Sequence, residues 1–393
     1  MSQIQPVPIA WRRRTPARAP AADAPASGFA RLLESDWQHG DAVVDVLRRI
    51  LSTTDADEVE GVRGAAEGML LRHCGDAVRL RGLVEFSNRC VLNCHYCGIR
   101  RGNRAVRRYS LTLDDVVACA RWCAEKGYGS LVLQSGERRD AAFVRRVEAM
   151  IRAIKDATRS EAQPDGLGIT LSIGEQAPET YERWFAAGAH RYLLRIESSS
   201  PELFARLHPE DQRHETRVAC LKTLREIGYQ VGTGVMIGLP GQSIEHLIGD
   251  LLFFRDMDVD MIGMGPYLPH AQAVLPGNPE VPPAAERLRL SLRMIAAARL
   301  LLRDVNIAAT TALQAMADNG REQGLAFGAN VIMPQVTPPR VRSLYTLYDG
   351  KPCLDDSAEQ CAVCLENRIA SAGRRIQKDA WGDSAHFGRR LSL

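Results

Sequence analysis

The chain has 393 residues, 45% hydrophobic and 25% charged, the composition of an ordinary globular protein long enough to bury its core without disulfide staples. Fifty basic residues against 47 acidic ones leave a formal charge of +3, which makes no electrostatic case for nucleic acid or a membrane surface. No apolar run approaches the roughly 20 residues of a spanning helix, and ten cysteines with no secretory signal point to the cytoplasm and to metal or redox chemistry rather than a disulfide framework.

In chain order, residues 1–28 are rich in Ala, Pro and Arg. Their arginines are not followed by an apolar stretch, so they read as a disordered tail and not a leader. Residues 29–78 read as a helical segment. From there strand-like runs alternate with amphipathic helical patterns. The strands are predicted at 82–87, 130–136, 168–174, 191–197, 231–238, 260–266, 307–312 and 330–334. They are short and mostly apolar, as expected of parallel strands covered on both faces. The intervening helices carry their own punctuation: Thr112 and Asp115 at capping-box spacing, and Pro178 and Gly188 around "ETYERWFAA". Strand plus helix about eight times predicts a complete (β/α)8 TIM-type barrel over 79–345, with a doubly wound open sheet as the alternative. Residues 346–393 form a C-terminal, cysteine-containing segment.

Chemistry in such a barrel belongs to the C-terminal ends of the strands. Gln134, Gly136 and Glu137 end the second strand, Ser172 and Glu175 the third, Arg195 and Glu197 the fourth. Thr310 and Thr311 end the seventh strand and Met333 the eighth.

The loop after the first strand reads "NRCVLNCHYCGIRRGN" and places Cys90, Cys94 and Cys97 at C-x3-C-x2-C spacing. Thiolates suit zinc and iron–sulfur clusters. A structural zinc wants a fourth ligand, and His95 beside Cys94 would have to bend so short a loop to supply it. A cubane 4Fe–4S cluster on three thiolates leaves one iron open to bind something else, which the spacing favours.

With Tyr96 just before its last cysteine, the triplet resembles the signature of the radical S-adenosylmethionine superfamily. "VEFSNRCVLNCHYCGIRRGN", "LVLQSGE", "ITLSIGE", "HRYLLRIES", "VMIGLPGQS", "GMGPYLPH", "ATTAL" and "GANVIMPQVTPPRVRSLYTLYDGKPC", spread over residues 79–364, resemble the HydE family of FeFe-hydrogenase maturases. Biotin synthase and methylornithine synthase are the next nearest families. The resemblance implies a 4Fe–4S cluster on Cys90, Cys94 and Cys97, with S-adenosylmethionine chelated at the open iron and cleaved reductively to a 5′-deoxyadenosyl radical. It implies that Tyr96, Gln134, Gly136 and Ser172 belong to the cofactor site, that Glu137 accepts from the methionyl amino group and that Arg217 pairs with the methionyl carboxylate. Arg195 and Glu197 fall where the family contacts the ribose, and Met236 and Ile237 where it contacts the adenine.

Arg81, Thr170, Thr310, Thr311, Met333, Tyr345 and Tyr348 match the family's internal substrate cavity. The implied substrate is a cysteine-bound iron carbonyl cyanide complex, attacked at its sulfur during assembly of the hydrogenase active-site cluster. The implied partners are the maturases HydG and HydF and an electron donor such as ferredoxin or flavodoxin. The alternatives are a biotin synthase-like or methylornithine synthase-like enzyme acting on an organic amino acid, and a non-catalytic iron–sulfur scaffold.

Cys353, Cys361 and Cys364 form a second group, C-x7-C-x2-C, which in this family can hold an accessory cluster; zinc and an empty loop are the other readings. Cys74, Cys119, Cys123 and Cys220 read as core residues. The arginines of "IRRGNRAVRR" read as electrostatic support for an anionic cluster, or as a docking face for a reductant or partner maturase. No RNA-binding module accompanies them.

Overall fold

A computed structural model describes residues 29, 32–33, 37–40, 42–275, 280–355 and 357–392. The tail predicted at 1–28 lies outside the described residues. All eight predicted strands are present in a parallel ring. They are β1 (Ala77–Ser87), β2 (Ser130–Ser135), β3 (Gly168–Ser172), β4 (Arg191–Leu193) and β5 (Gln230–Thr233), then β7 (Met261–Ile262), β9 (Asn306–Ile307) and β10 (Val331–Ile332). The sheet runs β10-β1-β2-β3-β4-β5-β7-β9. A parallel bridge between Ala308 and Val331 joins its two ends, flanked by hydrogen bonds from Asn330 N–H to the Ile307 carbonyl and from Ala309 N–H to the Val331 carbonyl, both 2.9 Å. The architecture is a TIM-type barrel.

The fifth and sixth predicted runs are each interrupted. Past β5 and β7 the chain continues as β6 (Met236–Ile237) and β8 (Gly265–Pro266), which form a separate two-stranded ladder. Gly234 and Gly263 explain the break: a Cβ on Gly234 would lie 2.0 Å from the Gly263 carbonyl oxygen, an approach only glycine allows. At the first strand the ladder starts five residues earlier than predicted, at Ala77, because Arg79 and Arg81 disguise a stretch that is buried all the same.

The capping box predicted at Thr112 is formed on helix Leu113–Glu125. Helix Pro178–Ala186 ends before Gly188, which adopts φ 114°. Cys119 and Cys123 are buried as expected, whereas Cys74 and Cys220 are only partly so. Helices Ala42–Ser52 and Ala56–Cys74 precede the barrel and pack against helix Ala284–Leu302. The core lies between ring and helices, where Tyr192 meets Tyr181 and Tyr229 edge to face and Trp184 is fully buried. A polar strand that periodicity does not reveal, β11 (Arg375–Gln377), pairs with the start of β1 and leads the C-terminal segment under the barrel floor. Among the described residues no helix is long and apolar enough to cross a membrane.

Candidate functional site

The loop after β1 has no regular structure, so side chains hold its shape. The Arg108 guanidinium donates to the carbonyls of Asn88, Ile99 and Arg100, each at 2.7 Å, and of Asn103 at 3.1 Å. Asn88 Nδ2 donates to the carbonyls of Arg107 (2.9 Å) and Leu344 (2.7 Å), and Asn93 Oδ1 accepts from Gly102 N–H at 3.0 Å. The loop lies directly on the end of β2: a Cβ on Gly136 would meet the Arg89 carbonyl oxygen at 2.6 Å and Cys90 Cβ at 2.7 Å.

Cys90, Cys94 and Cys97 all face one cavity of about 310 Å³ at the C-terminal mouth of the barrel. Leu92 N–H points at Cys90 Sγ (3.4 Å), and Cys94 Sγ donates to Gln212 Oε1 (3.2 Å). Burial pushes all three thiols up, Cys97 to about 12, and their mutual repulsion adds to the shift in Cys94 and Cys97. A thiolate at this site therefore requires positive charge beside it, which a bound metal supplies. Among the described residues no three or more His, Cys, Asp or Glu side chains are gathered as for a single ion. An iron–sulfur cluster makes a different demand, because each thiolate binds a different iron and the donors stand apart around it. Three soft donors on one loop, with no fourth cysteine and no histidine among the described lining residues, fit a cluster held at three corners.

Opposite the cysteines the strand ends carry charge. The Arg139 guanidinium donates through Nε to Glu137 Oε1 at 2.8 Å and through Nη2 to Glu175 Oε2 at 3.1 Å. Glu137 Oε2 accepts the Glu175 N–H at 2.9 Å. Arg217, from helix His214–Ile227, donates to Glu175 Oε1 at 2.6 Å and to the Arg195 carbonyl at 2.5 Å. Burial raises the Glu137 carboxyl, with Arg139 opposing. Burial also works against the Arg217 charge, yet the Glu175 carboxylate holds the guanidinium above its ordinary value. Gly174, at φ 81°, has to be glycine, since its Cβ would sit 2.1 Å from Glu137 Oε2. Sequence reasoning placed Glu175 on the rim without a role and missed Arg139. Together they knit Glu137 and Arg217 into one network.

On the next side of the mouth Arg195 pairs with Glu197 at 2.9 Å, and Tyr96 Oη donates to Glu197 Oε1 at 3.4 Å. Glu197 adopts φ 63° while its N–H and carbonyl are tied to Gly234 and Met236, so two backbone bonds hold a conformation unusual for a side chain of this size. Arg195 Nε and Thr310 Oγ1 are buried without a hydrogen-bond partner. Orphaned donors of this kind in a cavity wall fit a polar guest. Met236 lines the cavity; Ile237 is fully buried behind it and is not among the lining residues.

Of the predicted substrate-cavity residues, Thr310, Thr311, Met333, Tyr345 and Tyr348 line the same cavity, as do Gln134, Gly136 and Ser172. Arg81 and Thr170 do not. They line a separate void of about 20 Å³ at the barrel floor, which shares Leu193, Gly263 and Met333 with the main cavity. Glu85, Gln134 and Ser172 are register partners, and Thr170 lies two residues deeper. There Arg191 Nε donates to Thr170 Oγ1 (3.1 Å), and Arg81 donates to the Gly382 carbonyl (3.2 Å) beneath the ring. Lys351, which prediction passed over, donates to both oxygens of Glu85 (2.6 and 2.7 Å) in the cavity wall.

Cys353, Cys361 and Cys364 line a smaller pocket of about 50 Å³ that shares Leu83, Thr311 and Lys351 with the main cavity. Arg321 and Arg368 line it, and Arg368 Nε donates to Cys364 Sγ at 3.3 Å.

Known proteins share this sequence and this fold. Residues 84–254 match the Radical SAM superfamily. The chain is 42% identical over 341 residues to the FeFe hydrogenase maturase subunit HydE of Thermotoga maritima, covering 86% of this chain and 92% of that protein. The fold is similar to the crystal structure of methylornithine synthase, PylB, with TM-score 0.73 at 22% identity over 89% of this chain and 97% of that one. It is also similar to the FeFe-hydrogenase maturase HydG from Carboxydothermus hydrogenoformans, with TM-score 0.71 at 18% identity over 87% and 77%. At these identities the two structures speak for the fold alone.

Proposed function

The chain belongs to the radical S-adenosylmethionine superfamily, in the HydE family of hydrogenase maturases, and from that premise we propose that this enzyme acts on a cysteine-bound iron carbonyl cyanide precursor inside its barrel. The observation that carries the reading is the convergence on one cavity of Cys90, Cys94 and Cys97 with Glu137, Arg195, Glu197, Arg217 and Met236.

Cys90, Cys94 and Cys97 would hold the 4Fe–4S cluster that the family implies. When bound, cluster and S-adenosylmethionine together supply a 5′-deoxyadenosyl radical, the difficult part of the chemistry. The protein's own share is binding and exclusion of water. Arg217, kept charged by Glu175, presents a planar cation to the methionyl carboxylate. Glu137, braced by Arg139, offers carboxylate oxygens to the methionyl amino group. Arg195 and Glu197, in the same cavity wall, would meet the ribose, and Met236 would give the adenine an apolar surface. Thr310, Thr311, Met333, Tyr345 and Tyr348, which line the same cavity, would surround the substrate. The small void holding Arg81 and Thr170 lies below that region, so their part is to seal the floor.

Cys353, Cys361 and Cys364 would hold an accessory cluster, with Arg368 beside Cys364 compensating its charge. HydG would deliver the iron complex, HydF would receive the product, and a ferredoxin or flavodoxin would supply the electron.

The test is anaerobic reconstitution followed by reduction and incubation with S-adenosylmethionine and a synthetic iron–cysteine carbonyl cyanide complex. Deoxyadenosine formation together with transformation of the iron complex is expected. Deoxyadenosine formed only with an organic amino acid would overturn the substrate assignment. Full turnover by Cys94→Ala would overturn the reading of the site.

A further inference from the structure

The loop that carries the three cysteines has an outer surface that the cavity chemistry does not use. From Asn88 to Leu113 the chain holds Arg89, Arg100, Arg101, Arg104, Arg107 and Arg108 and not one acidic residue. Two of the six are structural. Arg108 is consumed by four backbone carbonyls, and Arg100 reaches Asn93 Oδ1 (3.0 Å) and the Gln272 carbonyl (3.2 Å). Arg89, Arg101, Arg104 and Arg107 are exposed, and their side chains have no hydrogen-bond or ion-pair partner among the described residues.

An ordinary solvated surface intersperses charges of both signs. Here a nearly neutral chain concentrates one sign on one loop, although unpaired like charges repel. Three acids around the loop are engaged elsewhere: Asp115 by Arg340 at 2.7 Å, Glu280 by Arg206 at 3.0 Å and Asp349 by the Ala271 N–H at 2.7 Å.

The same surface exposes apolar side chains. Val91, between Cys90 and Leu92, is 44% exposed, and Val274 is 55% exposed. Val274 belongs to this layer because its N–H donates to the His95 carbonyl at 2.8 Å, while Arg101 N–H donates to Leu92 at 2.7 Å. Apolar contacts beside a cationic margin are the anatomy of a transient protein interface steered by charge.

We propose that this face, Val91 and Val274 with Arg89, Arg101, Arg104 and Arg107, is the docking site of a small acidic one-electron carrier protein. The inference rests on the reading of the cysteine triplet as a cluster site. Cleavage of S-adenosylmethionine at such a site consumes one electron from outside the chain. Cys90, Cys94 and Cys97 belong to this same loop, between Arg89 and Arg100, and line the cavity on its inner side, so a carrier seated on the outer side is separated from the acceptor by the loop itself. In the step itself the carrier is oxidised by one electron and the cluster reduced by one. No bond forms or breaks and no proton moves. The opposite sign on the partner neutralises arginines that nothing among the described residues neutralises.

The test compares wild type with Arg101→Glu/Arg104→Glu/Arg107→Glu, and with the milder Arg101→Gln/Arg104→Gln/Arg107→Gln should charge reversal disturb folding. Affinity for purified flavodoxin is measured at low and high salt with cluster-loaded and cluster-free protein. Deoxyadenosine formation is measured with reduced flavodoxin and, separately, with dithionite, which needs no docking. Charge reversal should weaken flavodoxin binding about tenfold or more and flatten its salt dependence. The flavodoxin-driven rate should fall in parallel, with the dithionite-driven rate unchanged. Flavodoxin affinity within about twofold of wild type would overturn the proposal. So would a variant that keeps flavodoxin binding but loses an RNA or another maturase. Wild type that forms no deoxyadenosine even with dithionite would overturn the cofactor reading instead, while the affinity measurement still decides the docking site.

Discussion

Arg217 Nε and Glu175 Oε1 meet at 2.6 Å in a pair whose side chains are 7% and 5% exposed. Removing one member of a buried pair leaves the other charge stranded and costs about 3–5 kcal/mol. Arg217→Met should therefore destabilise the protein and abolish S-adenosylmethionine binding together. The double variant Arg217→Met/Glu175→Gln separates the two effects, because it removes both charges. Its urea midpoint should return toward wild type, while its affinity for S-adenosylmethionine stays weaker by about tenfold or more, the equivalent of 1.4 kcal/mol. Recovery of affinity along with stability would make Arg217 a structural arginine and nothing more.

Gly136 should prove as necessary to the cluster as the cysteines beside it. An alanine Cβ there lies 2.6 Å from the Arg89 carbonyl and 2.7 Å from Cys90 Cβ. The cysteine loop must move to admit it, at about 1–3 kcal/mol for overpacking. Gly136→Ala is expected to take up markedly less iron on anaerobic reconstitution. Gly388→Ala, whose Cβ meets nothing within 4 Å, is the control and should load as wild type. Iron per chain, measured by chelation assay, decides it.

The second cysteine group is expected to be separable from the first. Its pocket of about 50 Å³ shares Leu83, Thr311 and Lys351 with the main cavity but none of the first three cysteines. Cys361→Ala/Cys364→Ala should lower total iron yet leave dithionite-driven deoxyadenosine formation within about twofold of wild type. A larger loss would mean that the two sites are coupled through the Lys351–Glu85 contact.

The barrel was legible because its strands are short apolar runs between helical patterns, and the cysteine site because its ligands are close in sequence. What could not be read depends on contacts between distant segments. The close approach of Gly234 to Gly263 splits two strands, and nothing local marks either glycine as a break. The sequence "RIQ" at 375–377 has no strand periodicity, yet it pairs with β1. Alternation puts Arg81 and Glu85 on the same inner side of β1, but depth along the barrel axis is set by register. Glu85 therefore faces the main cavity while Arg81 faces the floor. Arg139 looked like any exposed loop arginine; its importance comes from reaching Glu175, 36 residues away.

The end of β4 is held by a group whose ionisation should be visible in stability. Asp250, on helix Ile244–Asp256, is fully buried and accepts from Ser199 N–H at 2.6 Å and Ser199 Oγ at 2.7 Å, two residues beyond Glu197. Burial raises its carboxyl to about 7, with the Ser199 hydrogen bonds opposing. In the unfolded chain an aspartate titrates near 3.9. Between those values the native state binds the extra proton, so this group's contribution is complete at the acid end and is lost as pH rises toward 7. The slope it adds is at most about 1.4 kcal/mol per pH unit. Asp250→Asn keeps an acceptor for Ser199 and cannot ionise. Urea unfolding from pH 5 to pH 8 should therefore show wild type losing stability relative to the variant as pH rises, with the difference levelling off above pH 7. A constant difference across that range would mean that Asp250 is already ionised at pH 5. Because Ser199 anchors the turn that presents Glu197, a variant that keeps this hydrogen bond should also keep its S-adenosylmethionine affinity, whereas Asp250→Ala, which cannot make the bond, should lose part of it.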